Sequence, residues 1–222
     1  MNFRLLVAIL VAFSATSANA TLMTADWKAL GDGLITVDDR TSLEWLDAPL
    51  SLNRSYNDLV GIDGTDEFDA GGDFEGFRLA TTAEVKSLFV DTLGIPLTDF
   101  AQWVPSSYAP VVLLHSLFGT TSGGDFAEIR SITADAFTST QHYQSIARIC
   151  QNGYATVCAN ENTAAVNTDG GWISDNVGSL VNGAWIVRQG TFSVPEPGTL
   201  GLMSLSLVGF AGHRFSRRKK GN

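Results

Sequence analysis

The residues best suited to chemistry are six carboxylates in the first half of the chain. They are Asp63, Asp66, Glu67, Asp69, Asp73 and Glu75, interspersed with Gly64, Gly71, Gly72 and Gly76. Ca²⁺ takes about six to eight oxygen ligands from a flexible loop, and carboxylates between glycine hinges can supply them. The spacing does not match an EF-hand, and the alternative is a solvated acidic loop that keeps the protein soluble. A calcium site over residues 63–75 is therefore one hypothesis, and the sequence indicates no other cofactor.

Residue patterns typical of catalysis are scarce. His115 follows an apolar run, which favours the end of a strand over a catalytic base, and His142 lies in a polar stretch beside Tyr143. No serine lies in a G-x-S-x-G elbow, and the sequence has no H-E-x-x-H motif. Paired carboxylates could cleave glycosides, but the sequence fixes no pair at the required separation. We therefore expect a protein without catalytic activity.

The net charge of residues 21–193 limits the classes of molecule that the protein is expected to bind. Residues 21–193 contain eight Lys or Arg and 22 Asp or Glu, a net charge of −14, against −9 for the whole chain. Nucleic acid is held by basic patches, so this balance argues against a nucleic-acid partner. It is compatible with Ca²⁺, with neutral sugars or simply with solubility.

The two cysteines, Cys150 and Cys158, are separated by seven residues. In an oxidising compartment we expect them to form a disulfide that closes the loop 151–157. Two free thiols or half of a metal site are the alternatives, although no second Cys or His cluster supports zinc. Because the loop is short, the disulfide would stabilise the fold by about 2–3 kcal/mol at most.

The local patterns predict an α+β domain. β-Branched and aromatic residues over 34–37 and 43–46 predict a hairpin, in which Asp38 and Asp39 serve the turn. Ser55 begins a short helix, and Thr81 with Glu84 forms a capping box for the strongest helix, which Gly94 ends. Further strands are predicted over 111–114, 127–132, 145–149 and 183–188.

The first twenty residues resemble a secretory signal peptide. Arg4 gives a positive start, residues 5–13 are apolar, and Ala18 and Ala20 form a small-x-small cleavage site. The mature chain is then expected to begin at Thr21. This implies the Sec machinery and signal peptidase as partners.

Residues 194–222 have three parts. A turn-forming segment (Val194, Pro195, Glu196, Pro197, Gly198) precedes an uncharged run over 199–212, which a basic cluster follows (Arg214, Arg217, Arg218, Lys219, Lys220). Proline stops a helix from running upstream, the apolar run is short for a spanning helix, and the basic residues would stay on the cytoplasmic side. A plain C-terminal membrane anchor or a buried core helix would also fit.

These three parts in this order resemble the PEP-CTERM sorting signal of bacterial envelope proteins. The resemblance implies recognition by an exosortase, a membrane cysteine protease or transpeptidase. The C-terminal transmembrane helix would hold the protein in the inner membrane during sorting. Removal of the tail would leave a protein without a spanning helix at the cell surface or in the extracellular matrix, as for other cleaved C-terminal signals.

The body resembles a second family in three segments. Residues 32–47, 76–81 with the following helix, and 172–174 before 184–187 are similar to the C-terminal domain of bacterial collagen-like adhesins, the Lcl C-terminal type, which is related to the C-type-lectin-like fold. Much of that family has Trp where this chain has Phe77 and Pro where it has Ala80, and residues 100–144 match nothing in it. The resemblance implies one small antiparallel sheet with about two helices, and the N- and C-terminal strands paired. Its core would contain Trp45, Phe77, Leu79, Trp172 and Trp185, whereas Trp103 lies in a loop and is the better candidate for exposure.

Together these observations predict three segments: a signal peptide at 1–20, a lectin-like exported domain at 21–193 and a sorting signal at 194–222. The function that fits them best is a non-catalytic carbohydrate-binding or matrix component of exopolysaccharide or biofilm. A secreted hydrolase of extracellular polymer and a surface structural protein without a specific ligand are the alternatives.

Overall fold

The computed structural model describes residues 21–62, 64–98, 102–123, 126–150 and 162–190, all within one structural unit, Ala20–Thr191. These ranges contain nine strands in two sheets and three α-helices. In chain order the elements are β1 (Leu22–Ala25), β2 (Ile35–Asp38), β3 (Leu43–Leu46), α1 (Tyr56–Leu59), β4 (Arg78–Leu79), α2 (Thr82–Ser87), α3 (Tyr108–Phe118), β5 (Phe126–Thr138), β6 (Gln141–Cys150), β7 (Ala164–Ser174), β8 (Gly183–Ala184) and β9 (Ile186–Gln189).

The first sheet has five antiparallel strands in the order β1-β2-β3-β9-β4. The predicted hairpin is its centre, with Thr36 opposite Trp45. Trp45 in turn lies opposite Val187, so the late strand β9 inserts between β3 and β4. The C-terminal strand β9 belongs to the same sheet as the N-terminal strands, but it pairs with β3 and β4, so the direct pairing of N- and C-terminal strands that the lectin-like resemblance implies is not formed.

The second sheet corrects the expectation of a single small antiparallel sheet. It has four strands in the order β7-β6-β5-β8, and β8 runs parallel to β5. The strands predicted over 127–132 and 145–149 are the inner parts of the long strands β5 and β6. The α+β class is confirmed, but the architecture has two sheets rather than one.

The strand predicted over 111–114 is wrong, because these residues lie in the middle of helix α3. A short continuous apolar run without alternation fits a buried helix as well as a buried strand. His115 therefore lies near the C-terminal end of a helix and not at the end of a strand. Val111, Leu114 and Phe118, at helical spacing, are fully buried on its inner face.

Both predicted helix starts are confirmed in atomic detail. The Ser55 hydroxyl accepts a hydrogen bond from Asp58 N, and the Asp58 carboxylate accepts one from Ser55 N. Thr81 and Glu84 make the same reciprocal pair at the start of α2. Each pair satisfies two backbone donors that a helix terminus would otherwise leave unpaired.

The centre of the core is a group of four aromatic rings. Trp185 makes edge-to-face contacts with Trp45, Phe89 and Phe118 at centroid distances of 6.1, 5.6 and 5.7 Å, and all four side chains are buried. Trp185 separates β8 of one sheet from β9 of the other. Its backbone N–H donates to Ile132 O of the second sheet, and its carbonyl accepts from Ala80 N. This residue therefore joins the two sheets through both its ring and its backbone.

Three predicted features reach beyond the described residues. Cys150 is buried at the end of β6, whereas Cys158 lies outside the described ranges, so the disulfide stays a prediction. The signal-peptide residues Ala18 and Ala20 and the whole tail from 194 to 222 also lie outside them. Within the described ranges, no helix combines the length and apolar character needed to cross a membrane.

Candidate functional site

Three aromatic side chains form an unusual surface at one end of the second sheet. We call Phe137, Tyr143 and Trp172 the aromatic platform. Phe137 is 46% exposed and Trp172 is 53% exposed, and their rings are parallel to within 3° with centroids 6.2 Å apart. Tyr143 contacts the Phe137 ring edge-to-face at 5.3 Å. Both large rings are partly exposed to water, so packing in the interior does not account for their parallel orientation.

The strand register places these rings together. Tyr143 of β6 lies directly opposite Trp172 of β7, and Phe137 lies near the end of β5 beside the turn at 139–140. The neighbouring pair, His142 and Ile173, belongs to the opposite face, since successive residues of a strand alternate. Two irregularities in the register of β5, between Ile132 and Thr138, end the regular pairing and turn this part of the strand.

The predicted burial of two tryptophans, Trp172 and Trp103, differs from what the structure shows. Trp172 was expected in the core and is the most exposed tryptophan of the described chain. The reason is topological: β7 is an edge strand of the second sheet, and Trp172 lies near its end. Trp103, expected to be exposed, is only partly exposed and stacks on Phe126 at 5.4 Å. The remaining predicted core residues, Trp45, Phe77, Leu79 and Trp185, are buried.

A polar cleft of about 330 Å³ opens at the same end of the sheet. It lies where the β5–β6 turn meets the start of α1 and the segment after β7. Its walls are mostly amide, hydroxyl and carboxylate side chains, with one exposed aliphatic residue: Asn57, Ile62, Ser139, Thr140, Ser174, Asp175 and Asn176.

A buried contact fixes the carboxylate of this cleft. His142 Nδ1 lies 2.7 Å from Asp175 Oδ1, and the Tyr56 ring stacks on the His142 ring at 3.5 Å. Burial, together with the negative charge of Asp175, raises the pKa of the Tyr56 hydroxyl. The backbone of Asp175 is also held, because its N–H donates to Thr140 O and its carbonyl accepts from Asn57 N. His142 and Asp175 are 33 positions apart in the sequence, and no local sequence pattern links them.

The other histidine belongs to the packing of α3. His115 Nδ1 contacts Thr120 Oγ1 at 3.0 Å, and the residue is buried. Burial lowers the pKa of His115 to about 4, so the ring is neutral at neutral pH. It does not line the cleft, and its surroundings give it no role in chemistry at this site.

The acidic loop uses its carboxylates mainly to hold its own backbone and Arg54. Glu67 Oε1 lies 2.7 Å from Arg54 Nη1, and Glu67 Oε2 accepts a hydrogen bond from Asp73 N. Asp73 forms a second ion pair with Arg54. Asp66 accepts from Phe68 N, and Glu75 accepts from Gly71 N. The buried ring of Phe74 anchors the loop to the core.

In the part of the chain that the structure describes, no group of three or more His, Cys, Asp or Glu side chains is placed to hold a metal ion. Asp63 lies outside the described residues, whereas Asp66, Glu67, Asp69, Asp73 and Glu75 lie within them. The calcium site therefore stays a prediction. The structure shows, in addition, that Glu67 and Asp73 of this loop form ion pairs with Arg54.

Asp47 is a carboxylate with a strongly changed pKa outside the cleft. Burial, with a smaller contribution from the negative charge of Asp32, raises the pKa of Asp47 from 3.8 to about 6. Its buried Oδ1 makes no hydrogen bond. It does not line the cleft described above, so we interpret this pKa as a cost to stability rather than as a sign of catalysis.

Replacing Asp47 with asparagine should stabilise the protein at pH 7 by about 1–2 kcal/mol, less than the full pKa shift corresponds to, because solvent screens this half-buried carboxylate. The carboxylate destabilises the fold once it ionises, so the wild-type stability falls as the pH rises from about 4 to 6 and stays low above that. Urea unfolding of both proteins at pH 4 and pH 7 measures the effect. The two proteins should have similar stability at pH 4, and an equal difference at both pH values would contradict this explanation.

Comparison with known proteins identifies one segment. Residues 193–219 match the PEP-CTERM protein-sorting motif. No curated protein and no solved structure matches the chain. The motif is the recognition signal for exosortase, and it implies export with processing at the membrane. The resemblance of the body to the lectin-like domain stays a prediction.

Proposed function

We propose that this exosortase-sorted protein binds a neutral polysaccharide outside the cell through its aromatic platform, as a non-catalytic component of the surface or matrix. The observation that carries the proposal is the parallel, half-exposed pair of rings of Phe137 and Trp172. The export signal supports it by directing the protein to the compartment in which such polymers accumulate.

The chemistry of the platform suits a sugar ring. One face of a pyranose presents C–H groups, and the face of an aromatic ring carries negative charge that attracts them. Rings held in fixed orientation lose little conformational freedom on binding, which favours affinity. A monomeric soluble protein rarely exposes grouped large apolar side chains without a partner.

The charge of the protein selects among polysaccharides. Residues 21–193 carry a net charge of −14, so an anionic polymer would be repelled. None of the residues that line the adjoining cleft is Lys or Arg, so that surface offers no counter-charge to uronate or sulfate groups. A neutral chain fits both observations.

Co-sedimentation with exopolysaccharide tests the proposal. The protein is expressed with both end signals in a host that carries an exosortase, purified after processing, and mixed with neutral exopolysaccharide from that host with Ca²⁺ or with EDTA. We expect saturable binding in both conditions. Binding lost in EDTA would indicate that the 63–75 loop holds Ca²⁺, and no binding in either condition would contradict the proposal.

The same samples test the hydrolase alternative. The observation that favours it is the His142–Asp175 pair beside the cleft, an arrangement that could orient an imidazole as a base. A hydrolase would release new reducing ends from the polymer over time. We expect no release, because glycosidases use a pair of carboxylates and Asp175 is the one carboxylate among the described residues that line the cleft.

A further inference from the structure

We infer that the polar cleft is the second part of the same saccharide site, where Asp175 binds the hydroxyl groups of the sugar next to the one stacked on the platform. This inference rests on the proposed function and extends it. It assigns a recognition residue, and it predicts that affinity depends on the length of the saccharide chain.

The cleft begins where the platform ends. On β7, Ser174 follows Trp172 by two residues and therefore lies on the same face, about 7 Å further along the strand. At the end of β5, Ser139 follows Phe137 by two residues. A saccharide chain that stacks one ring on the platform and runs along β7 would pass Ser174 and bend around the end of the strand to Asp175, whose carboxylate lies on the His142 side of the sheet.

The polar groups of the cleft are free to bind. In the described chain, the side chains of Asn57, Asn176 and Ser174 make no hydrogen bond to the protein, and neither do the hydroxyls of the turn at 139–140. Only one oxygen of Asp175 is engaged, since Oδ1 contacts His142 Nδ1. Oδ2 has no partner among the described residues, so it can accept from sugar hydroxyls. Amides, hydroxyls and a carboxylate together provide both donors and acceptors.

The carboxylate is pre-organised. The Asp175 side chain is 13% exposed, and the imidazole that holds it is 8% exposed and packed against Tyr56. Two backbone hydrogen bonds fix its main chain. A group held in its binding orientation loses little freedom when the ligand arrives, so a hydrogen bond to it contributes more affinity than one to a mobile side chain.

The test uses oligosaccharides of increasing length, prepared by partial acid hydrolysis of the neutral exopolysaccharide and separated by size. Calorimetry measures their dissociation constants with the processed wild-type protein, Asp175→Asn and Asn176→Ala. For wild type we expect a step increase in affinity at the length that first reaches the cleft. Asp175→Asn should lower the affinity of the longer oligosaccharides about tenfold and leave that of the shortest binder unchanged. Asn176→Ala removes an exposed side chain, so it tests the cleft without risk to the fold.

Asp169→Asn is the matched control, because Asp169 is an exposed carboxylate on the same strand that does not line the cleft. It should bind like wild type at every length. If Asp175→Asn and Asn176→Ala both bind every length as wild type does, the inference is overturned, while Trp172→Ala still reports on the platform. If Trp172→Ala also binds normally, or wild type does not bind, the proposed function fails as well.

Discussion

Replacing Trp185 with alanine should destabilise the domain by about 4–5 kcal/mol, the upper end of the range for loss of a buried tryptophan. The side chain is fully buried and contacts the rings of Trp45, Phe89 and Phe118. It also lies between the strands that connect the two sheets, so the cavity would open where both sheets meet. Native domains are stable by only about 5–15 kcal/mol, so this variant should lie near the limit of folding. Thermal unfolding followed by circular dichroism measures the change.

Trp185→Phe is the control for the ring itself. The indole Nε1 of Trp185 is buried without a hydrogen-bond partner in the described chain, so phenylalanine removes an unsatisfied donor while it keeps most of the aromatic volume. We expect a loss below about 2 kcal/mol. A Trp185→Ala variant that unfolds within a few degrees of wild type would contradict the assignment of this residue as the junction of the sheets.

Replacing Trp172 with alanine should weaken polysaccharide binding about 30-fold or more and leave the stability within about 0.5 kcal/mol of wild type. Half of the side chain is exposed, so its removal leaves no internal cavity. The substitution would also remove the ring that lies parallel to Phe137. Co-sedimentation with the neutral exopolysaccharide gives the affinity, and thermal unfolding gives the stability.

Two variants make the Trp172 experiment specific. Trp172→Phe keeps an aromatic face, so it should retain much of the affinity that alanine loses. Leu30→Ala removes a fully exposed hydrophobic side chain outside the platform and should bind normally. Equal losses in Leu30→Ala and Trp172→Ala would indicate non-specific hydrophobic adsorption instead of a site.

The two tryptophans also show how far the sequence could predict the fold. Features that depend on nearby residues were predictable: the hairpin over 34–46, the helix start at Ser55 and the capping box at Thr81 agree with the structure. Each is a chemical contact between residues that are close in the chain, so its signal is local. The burial of Trp185 agrees with the core position that the resemblance implied for it.

The features that the sequence did not predict depend on contacts between residues that are far apart in the chain. Trp172 is exposed because β7 is an edge strand, and that order of strands is a property of the whole sheet. The His142–Asp175 contact forms only after β6 and β7 pair. The run at 111–114 is compatible with either a helix or a strand, and only its packing in the core decides. His142, Tyr143 and Trp172 were therefore recognisable only as residue types, and no local pattern marked Phe137 or Asp175 as part of a site.

The position of β9 has a consequence for the order of events during secretion. β4 pairs only with β9, and β3 is an open edge until β9 is added, so the five-stranded sheet is incomplete before Ile186–Gln189 have crossed the membrane. These residues precede the sorting motif at 193–219 by only a few positions. The domain thus completes its first sheet at the last stage of translocation, when the sorting motif is the part of the chain that reaches the membrane. The complete fold and the sorting motif therefore become available together.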